Sequence, residues 1–226
     1  MIAWSVPRIW EGKTVAVLAS GPSLTEPVVD AVCASGCPTI AVNTSYRRAP
    51  WADVLYAADV DWWQEYKGAQ DFDGFKVSCS QAKKIPYPDV HVLEVTGASG
   101  IDMTPTKIRT GSNGAYQAMH IAIQAGASKV IFVGLDMHGG HWHPEYPSHM
   151  KQNDKPTFEK FISRFNQVAP VAEALGVDLV NCTPGSALTC FRFGALEEEL
   201  AGSFFPFDSR ELLFLSSPIG QTARSL

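Results

Sequence analysis

Six short runs rich in Val and Ile alternate along this chain with stretches of helical periodicity, and that alternation restricts the fold more than any other feature. The runs are TVAVLAS (14–20), TIAVN (39–43), DVLYAAD (53–59), HVLEV (91–95), KVIFVGLD (129–136) and DLVNC (178–182). Each is brief, apolar and bounded by Gly, Pro, Asp or Asn, the pattern of a buried strand. Between them, residues 26–35, 114–125 and 157–175 predict helices. The last carries an apolar face of Phe158, Phe161, Ile162, Phe165, Val168, Ala172 and Leu175, and its Pro170 predicts a kink or a restart. Strand, helix, strand connections of this length imply parallel pairing with right-handed crossovers. The expectation is an α/β fold of Rossmann-like type, a mostly parallel sheet with helices on both faces.

With 226 residues, 46% of them hydrophobic, the chain can bury one good core, so 1–226 is expected to be a single nucleotide-binding domain. From about Phe191 the alternation stops, and residues 192–226 predict a C-terminal helix followed by an extended arm that caps the sheet or joins a second copy in a homo-oligomer. A net charge of −5 argues against a surface that tracks long nucleic acid. No segment has the length and apolarity of a membrane span, the start lacks a signal-peptide pattern, and the five cysteines form no CxxC pair. A cytoplasmic protein with reduced thiols is expected, in a host cytoplasm if the chain is phage-encoded.

The first run stops abruptly at Ser20-Gly21-Pro22-Ser23. A parallel strand ending in a small-residue turn offers backbone N–H groups at the carboxyl edge of a sheet, where nucleotides bind. Gly21 accepts positive φ and close approach, Pro22 suits a first helical turn, and Ser23 can cap a helix or meet a phosphate. Neither Walker A nor GxGxxG is present, and an ordinary capped turn is the structural alternative. Asn43 ends the second run and can offer donor and acceptor to a base or ribose, with Arg47 and Arg48 nearby for phosphate charge; it is also a common turn residue. Asp59 and Asp61 form a DxD that suits a divalent cation, and Trp62 and Trp63 can form a stacking wall or pack inward. The turn Ser112-Asn113-Gly114, ahead of a helix, is a second anion site or a plain N-cap.

Four of the six histidines, His138, His141, His143 and His149, fall within twelve residues after the strand that ends at Asp136. Imidazole at such a strand end can take a proton from an acceptor hydroxyl, and His141, His143 and His149 are the catalytic candidates. Asp136 with the first three also supplies metal-ligand types, but HxxHxH is no zinc signature and no metal is assigned. His91 and His120 are expected to be structural.

GPSL after an apolar strand, AVNTSY, a Gly-Ser turn leading to AGASKVIFVGLD, and VNCTPGSAL together resemble bacterial sialyltransferases of glycosyltransferase family 42. The same order is similar to the domain of unknown function 115 group, which includes archaeal 6-hydroxymethylpterin diphosphokinases, and to uncharacterised phage proteins with an HWH loop. The likeness spans about residues 13–191. It implies a Rossmann-like fold binding a CMP-type nucleotide sugar through Gly21, Pro22, Ser23, Asn43 and residues 112–114, with a histidine as base and no obligatory metal. His149 matches the family's base by position, His141 and His143 the phage-like loop. Where the sialyltransferases have an asparagine after the third strand this chain has Ala57-Ala58-Asp59, which speaks against sialic acid as the donor sugar.

The leading expectation is a glycosyltransferase whose donor is a small nucleotide sugar and whose acceptor is a glycan, a modified nucleic-acid base or a metabolite. The alternatives are a diphosphokinase holding magnesium on Asp59 and Asp61 around ATP, and a non-catalytic nucleotide-binding phage protein.

Overall fold

The computed structural model describes residues 4–80, 84–144, 146–147, 149–150 and 153–201. Among these, nine strands make one sheet: β1 (Thr14–Leu18), β2 (Thr39–Val42), β3 (Val54–Tyr56), β4 (Phe75–Cys79), β5 (Val90–Gly97), β6 (Lys107–Arg109), β7 (Lys129–Val133), β8 (Asp178–Asn181) and β9 (Arg192–Phe193). Their spatial order is β6-β5-β4-β3-β2-β1-β7-β8-β9, and every neighbouring pair is parallel. All six strands expected from the sequence are present. The three in addition, β4, β6 and β9, are short or carry few β-branched residues, so their pattern was too faint to separate from loop.

The chain steps outward from β1 to β6, then returns across the sheet to lay β7 on the other flank of β1. Val17 of β1 pairs with Ile40 of β2 on one side and Phe132 of β7 on the other. This reversal leaves a crevice at the carboxyl ends of β1 and β7, the place where open α/β sheets bind ligands.

Five helices complete the described chain: α1 (Glu26–Ser35), α2 (Val60–Glu65), α3 (Gly114–Gln124), α4 (Lys155–Ala174) and α5 (Leu196–Leu200). Side chains alternate across each strand, so Val15 and Val17 join one core and Ala16 and Leu18 the other. Tyr116 and Met119 of α3 and Phe161, Phe165 and Val168 of α4 fill the first core. Val29 and Val32 of α1, Trp62 and Trp63 of α2, and Leu196 and Leu200 of α5 fill the second. The sheet is therefore covered on both faces.

Pro170 does not restart its helix: α4 is continuous through it. Pro170 and Asn166, the residue whose carbonyl loses its helical partner, are both exposed, so the lost bond falls on the solvent side, while Phe165, Val168 and Ala172 hold the buried stripe in place. Two further segments have structure that the sequence reading left unassigned. Residues 43–47 form a short 3-10 turn, and the DxD lies at the head of α2, with Asp59 at the N-cap position and Asp61 in the first turn. Of the terminal arm, α5 packs against α1, and residues 202–226 lie outside the described residues. Among the described residues, no helix is long and apolar enough to cross a membrane.

Candidate functional site

A cavity of about 540 Å³ opens at the carboxyl ends of β1, β2 and β7. Ser20 and Gly21 line it from the turn after β1, Asn43 from the end of β2, Asp59 and Asp61 from the head of α2, Ser112, Asn113 and Gly114 from the turn before α3, and Asp136, His138 and His141 from the loop after β7. Pro22, Ser23, His143 and His149 are not among its lining residues.

The turn after β1 is built by exclusion. A β-carbon on Gly21 would fall 1.9 Å from Asp136 Oδ2 and 2.7 Å from the Gly134 carbonyl oxygen. Gly21 is required for space and not, as its sequence context suggests, for a left-handed backbone, since it is not among the residues with positive φ. Its amide donates to the Gly134 carbonyl at 2.8 Å, which ties the ends of β1 and β7 together. Helix α1 begins at Glu26 behind Thr25, with Pro27 in its first turn. Pro22 therefore stands ahead of the helix, and Ser23 caps nothing: its hydroxyl donates to Asp136 Oδ2 at 2.8 Å. Asp136 is 5% exposed, and Ala187 N–H donates to its backbone carbonyl at 2.9 Å. Thr183 Oγ1 accepts from the Leu135 amide at 2.9 Å, and Ser186 Oγ donates to the Leu135 carbonyl at 2.5 Å. The segment after β8 thus buttresses the end of β7 and lies behind the cavity wall.

The second turn meets the third. Asn43 opens the 3-10 turn with φ +51°, a left-handed conformation that asparagine tolerates better than most side chains. At Gly114 an added β-carbon would fall 2.7 Å from Val42 Cγ1, so glycine lets the first turn of α3 seat against the end of β2. Asn113 Oδ1 accepts from the amides of Ala115 at 2.9 Å and Tyr116 at 3.2 Å, an N-cap that leaves the Gly114 amide unengaged by it.

The histidine loop lies across these turns. The Ser20 carbonyl accepts from the Trp142 amide at 3.1 Å and from His141 Nδ1 at 3.3 Å; because a carbonyl only accepts, Nδ1 carries the proton. His143 stacks on His141 with ring centres 4.9 Å apart, and its Nδ1 donates to the Pro144 carbonyl at 2.6 Å. Burial, foremost, holds the His143 imidazole below its ordinary pKa. His149 is exposed and lies 3.5 Å from a Glu65 carboxylate oxygen. His138 is exposed on the rim, 3.2 Å from the Gly185 carbonyl. Among the described residues, no three His, Cys, Asp or Glu side chains gather as a metal ion needs.

Other sequence candidates turn inward or pair elsewhere. Trp62 and Trp63 are buried, donating to Thr44 Oγ1 and the Ala57 carbonyl; Trp62 contributes to the cavity wall but is only 1% exposed, and Trp63 lies behind it, so neither presents an open stacking face. Arg47 lies over the Tyr66 ring, and Arg48 lies over Trp142 and 3.3 Å from Glu26; neither lines the cavity. His91 stacks on Trp4, and His120 is fully buried, its Nε2 accepting from the Asp102 amide at 2.7 Å. Sequence reasoning missed Tyr146, Phe158 and Phe161 in the cavity wall. Phe158 and Phe161 were legible only as the apolar stripe of α4, and Tyr146 sits in a segment with no periodicity. Burial pushes the Tyr146 hydroxyl up to about 12, and Thr44 Oγ1 lies 3.3 Å from it.

No protein-family model and no curated protein matches the chain. Among solved structures, the sialyltransferase CstII from Campylobacter jejuni in complex with the substrate analogue cytidine-5'-monophosphate is similar, with a TM-score of 0.48 and 11% identity over 83% of this chain and 87% of that one. The same enzyme in complex with CMP-3FNeuAc gives a TM-score of 0.43 and 10% identity over 81% and 86%.

Proposed function

We propose that this chain is a transferase that moves a sugar from a nucleotide-activated donor to an acceptor hydroxyl, with His141 as the base. The observation that carries the reading is convergence: Gly21, Asn43, Gly114 and the pair Asp136 and His141 come from four separate stretches of sequence and line one cavity at the reversal point of a parallel sheet. The donor is of the CMP type, the class singled out by the resemblance of the sequence to sialyltransferases.

In this reading the nucleotide lies along the glycine turns. The first turn of α3, with its dipole and the Gly114 amide, faces the phosphate that departs. His141 keeps its Nδ1 proton on the Ser20 carbonyl and receives the acceptor proton at Nε2. As the acceptor oxygen bonds to the anomeric carbon, the bond from that carbon to the phosphate oxygen breaks and its electron pair leaves with the nucleotide. Alignment and charge stabilisation supply most of the rate. His143, whose Nδ1 is tied to Pro144, and His149, beside Glu65, have supporting or surface roles.

A second reading is favoured by one observation, that Asp59 and Asp61 both line the cavity: magnesium-dependent transfer of diphosphate from ATP. A thermal-shift series with CMP, UDP, GDP and ADP compounds, with and without magnesium, followed by assay of donor consumption, separates the two. Stabilisation by CMP compounds and release of CMP from a CMP-sugar support glycosyl transfer. Stabilisation by adenine nucleotides only with magnesium moves the assignment to phosphoryl transfer, and tight binding without consumption of any donor makes the chain a binding module.

A further inference from the structure

We infer that Trp142 is a positioning residue: it clamps the loop after β7 onto the turns after β1 and β2 and so fixes which ring nitrogen His141 presents to the cavity. The inference deepens the function proposed above and rests on His141 being its base.

Trp142 does not line the cavity, yet from the loop that carries His141 it bonds to two of the turns that do, the one after β1 and the one after β2. Its amide donates to the Ser20 carbonyl in the β1 turn, the same oxygen that accepts from His141 Nδ1. Its indole Nε1 donates to Ser45 Oγ at 3.1 Å, in the 3-10 turn that Asn43 opens. That hydroxyl has a single proton, directed at the Ala19 carbonyl at 2.8 Å, so toward Trp142 it acts as acceptor. On the face of the indole lies the Arg48 guanidinium, 4.0 Å from a ring centre. The loop enters this clamp from Met137 at φ +58°, a strained conformation for such a side chain that the surrounding contacts must enforce.

The consequence falls on the neighbouring ring. An unrestrained neutral imidazole carries its proton mostly on Nε2, whereas the bond to Ser20 demands it on Nδ1 and leaves Nε2 as the basic nitrogen. A clamp one residue away that shares the same carbonyl holds His141 in the less common tautomer, the one a base at Nε2 needs.

The test uses the whole chain with 15N-labelled histidine at pH 8, His141 being assigned from the spectrum of His141→Ala. Wild type should hold the Nδ1–H tautomer. Trp142→Phe, which keeps an aromatic face for Arg48 but loses the indole donor, and the smaller change Ser45→Ala should each raise the Nε2–H share. Turnover should fall roughly three- to tenfold in each, with KM for the nucleotide donor within about twofold, and the double variant should lose no more than either single one. A merely structural role would lower thermal stability without moving the tautomer. Should Trp142→Phe fail to fold, Ser45→Ala decides. An unchanged Nδ1–H ring in the variants, or an Nε2–H ring in wild type, overturns the inference. A tautomer shift in a protein that consumes no nucleotide sugar supports the clamp and overturns the glycosyl-transfer reading instead.

Discussion

Gly21 and Asp136 are 115 residues apart in sequence, yet an alanine methyl at Gly21 would overlap Oδ2 of Asp136 at 1.9 Å. The carboxylate cannot simply swing aside, because Ser23 holds it and the Gly134 carbonyl closes the other side of the turn. Gly21→Ala should therefore destabilise the fold by on the order of 1–3 kcal/mol and abolish the thermal shift given by nucleotide. Denaturant unfolding with and without CMP measures both effects.

The three candidate histidines should separate. His141→Ala is expected to lower kcat by on the order of 10²–10⁴ while leaving nucleotide binding nearly intact. His149→Ala, at an exposed ring beside Glu65, should leave kcat unchanged. His143→Ala removes the ring stacked on His141 and should have an intermediate effect. Equal kcat for wild type and His141→Ala would rule out this base.

Asn113 caps α3 through two amides. Asn113→Ala should cost about 1 kcal/mol of stability, whereas Asn113→Asp keeps the acceptor and should cost little in the free protein. The aspartate should nevertheless weaken nucleotide binding, since in the proposed binding mode it sets a negative charge beside the phosphate. Calorimetric titration with CMP distinguishes the two effects.

His120 is buried in the α3 core, and burial holds its imidazole down at about 4, against 6.5 when exposed. Below pH 6.5 the unfolded chain takes up this proton and the folded chain does not until about pH 4, so stability falls as pH drops through that window. This group should account for on the order of 2–3 kcal/mol of loss between pH 7 and pH 4. His120→Gln, which keeps an acceptor for the Asp102 amide, should flatten that part of the urea-midpoint profile.

At the sheet edge, Glu199 accepts from Arg192 and Lys129, and these partners, Arg192 first, pull its carboxyl down to about 2 from 4.5. Its contribution is complete above pH 4.5 and is lost as pH falls toward 2. Glu199→Gln should therefore cost about 1–2 kcal/mol at pH 7 and almost nothing near pH 2, as chemical unfolding at the two pH values will register.

The sequence by itself determined the class of fold and which turns lie at the carboxyl rim of the sheet, where the cavity opens. Buried parallel strands need unbroken apolar β-branched runs, so β1, β2, β3, β5, β7 and β8 stand out, and each glycine-bearing turn follows directly from its strand or precedes its helix. It did not determine β9, whose two residues carry almost no pattern, nor the reason for Gly21, because the carboxylate that excludes a side chain there arrives from the other half of the chain. Tertiary structure alone decided which histidines line the cavity, His138 and His141, and which do not. His141 and His143 are two residues apart and chemically identical, and only the Ser20 carbonyl, brought alongside by the β1–β7 pairing, gives one of them a fixed ring at the cavity wall while its neighbour is tied to Pro144. Local pattern encodes period and turn chemistry; the partner of a polar atom is set by chain segments far away in sequence, and local pattern carries no record of them.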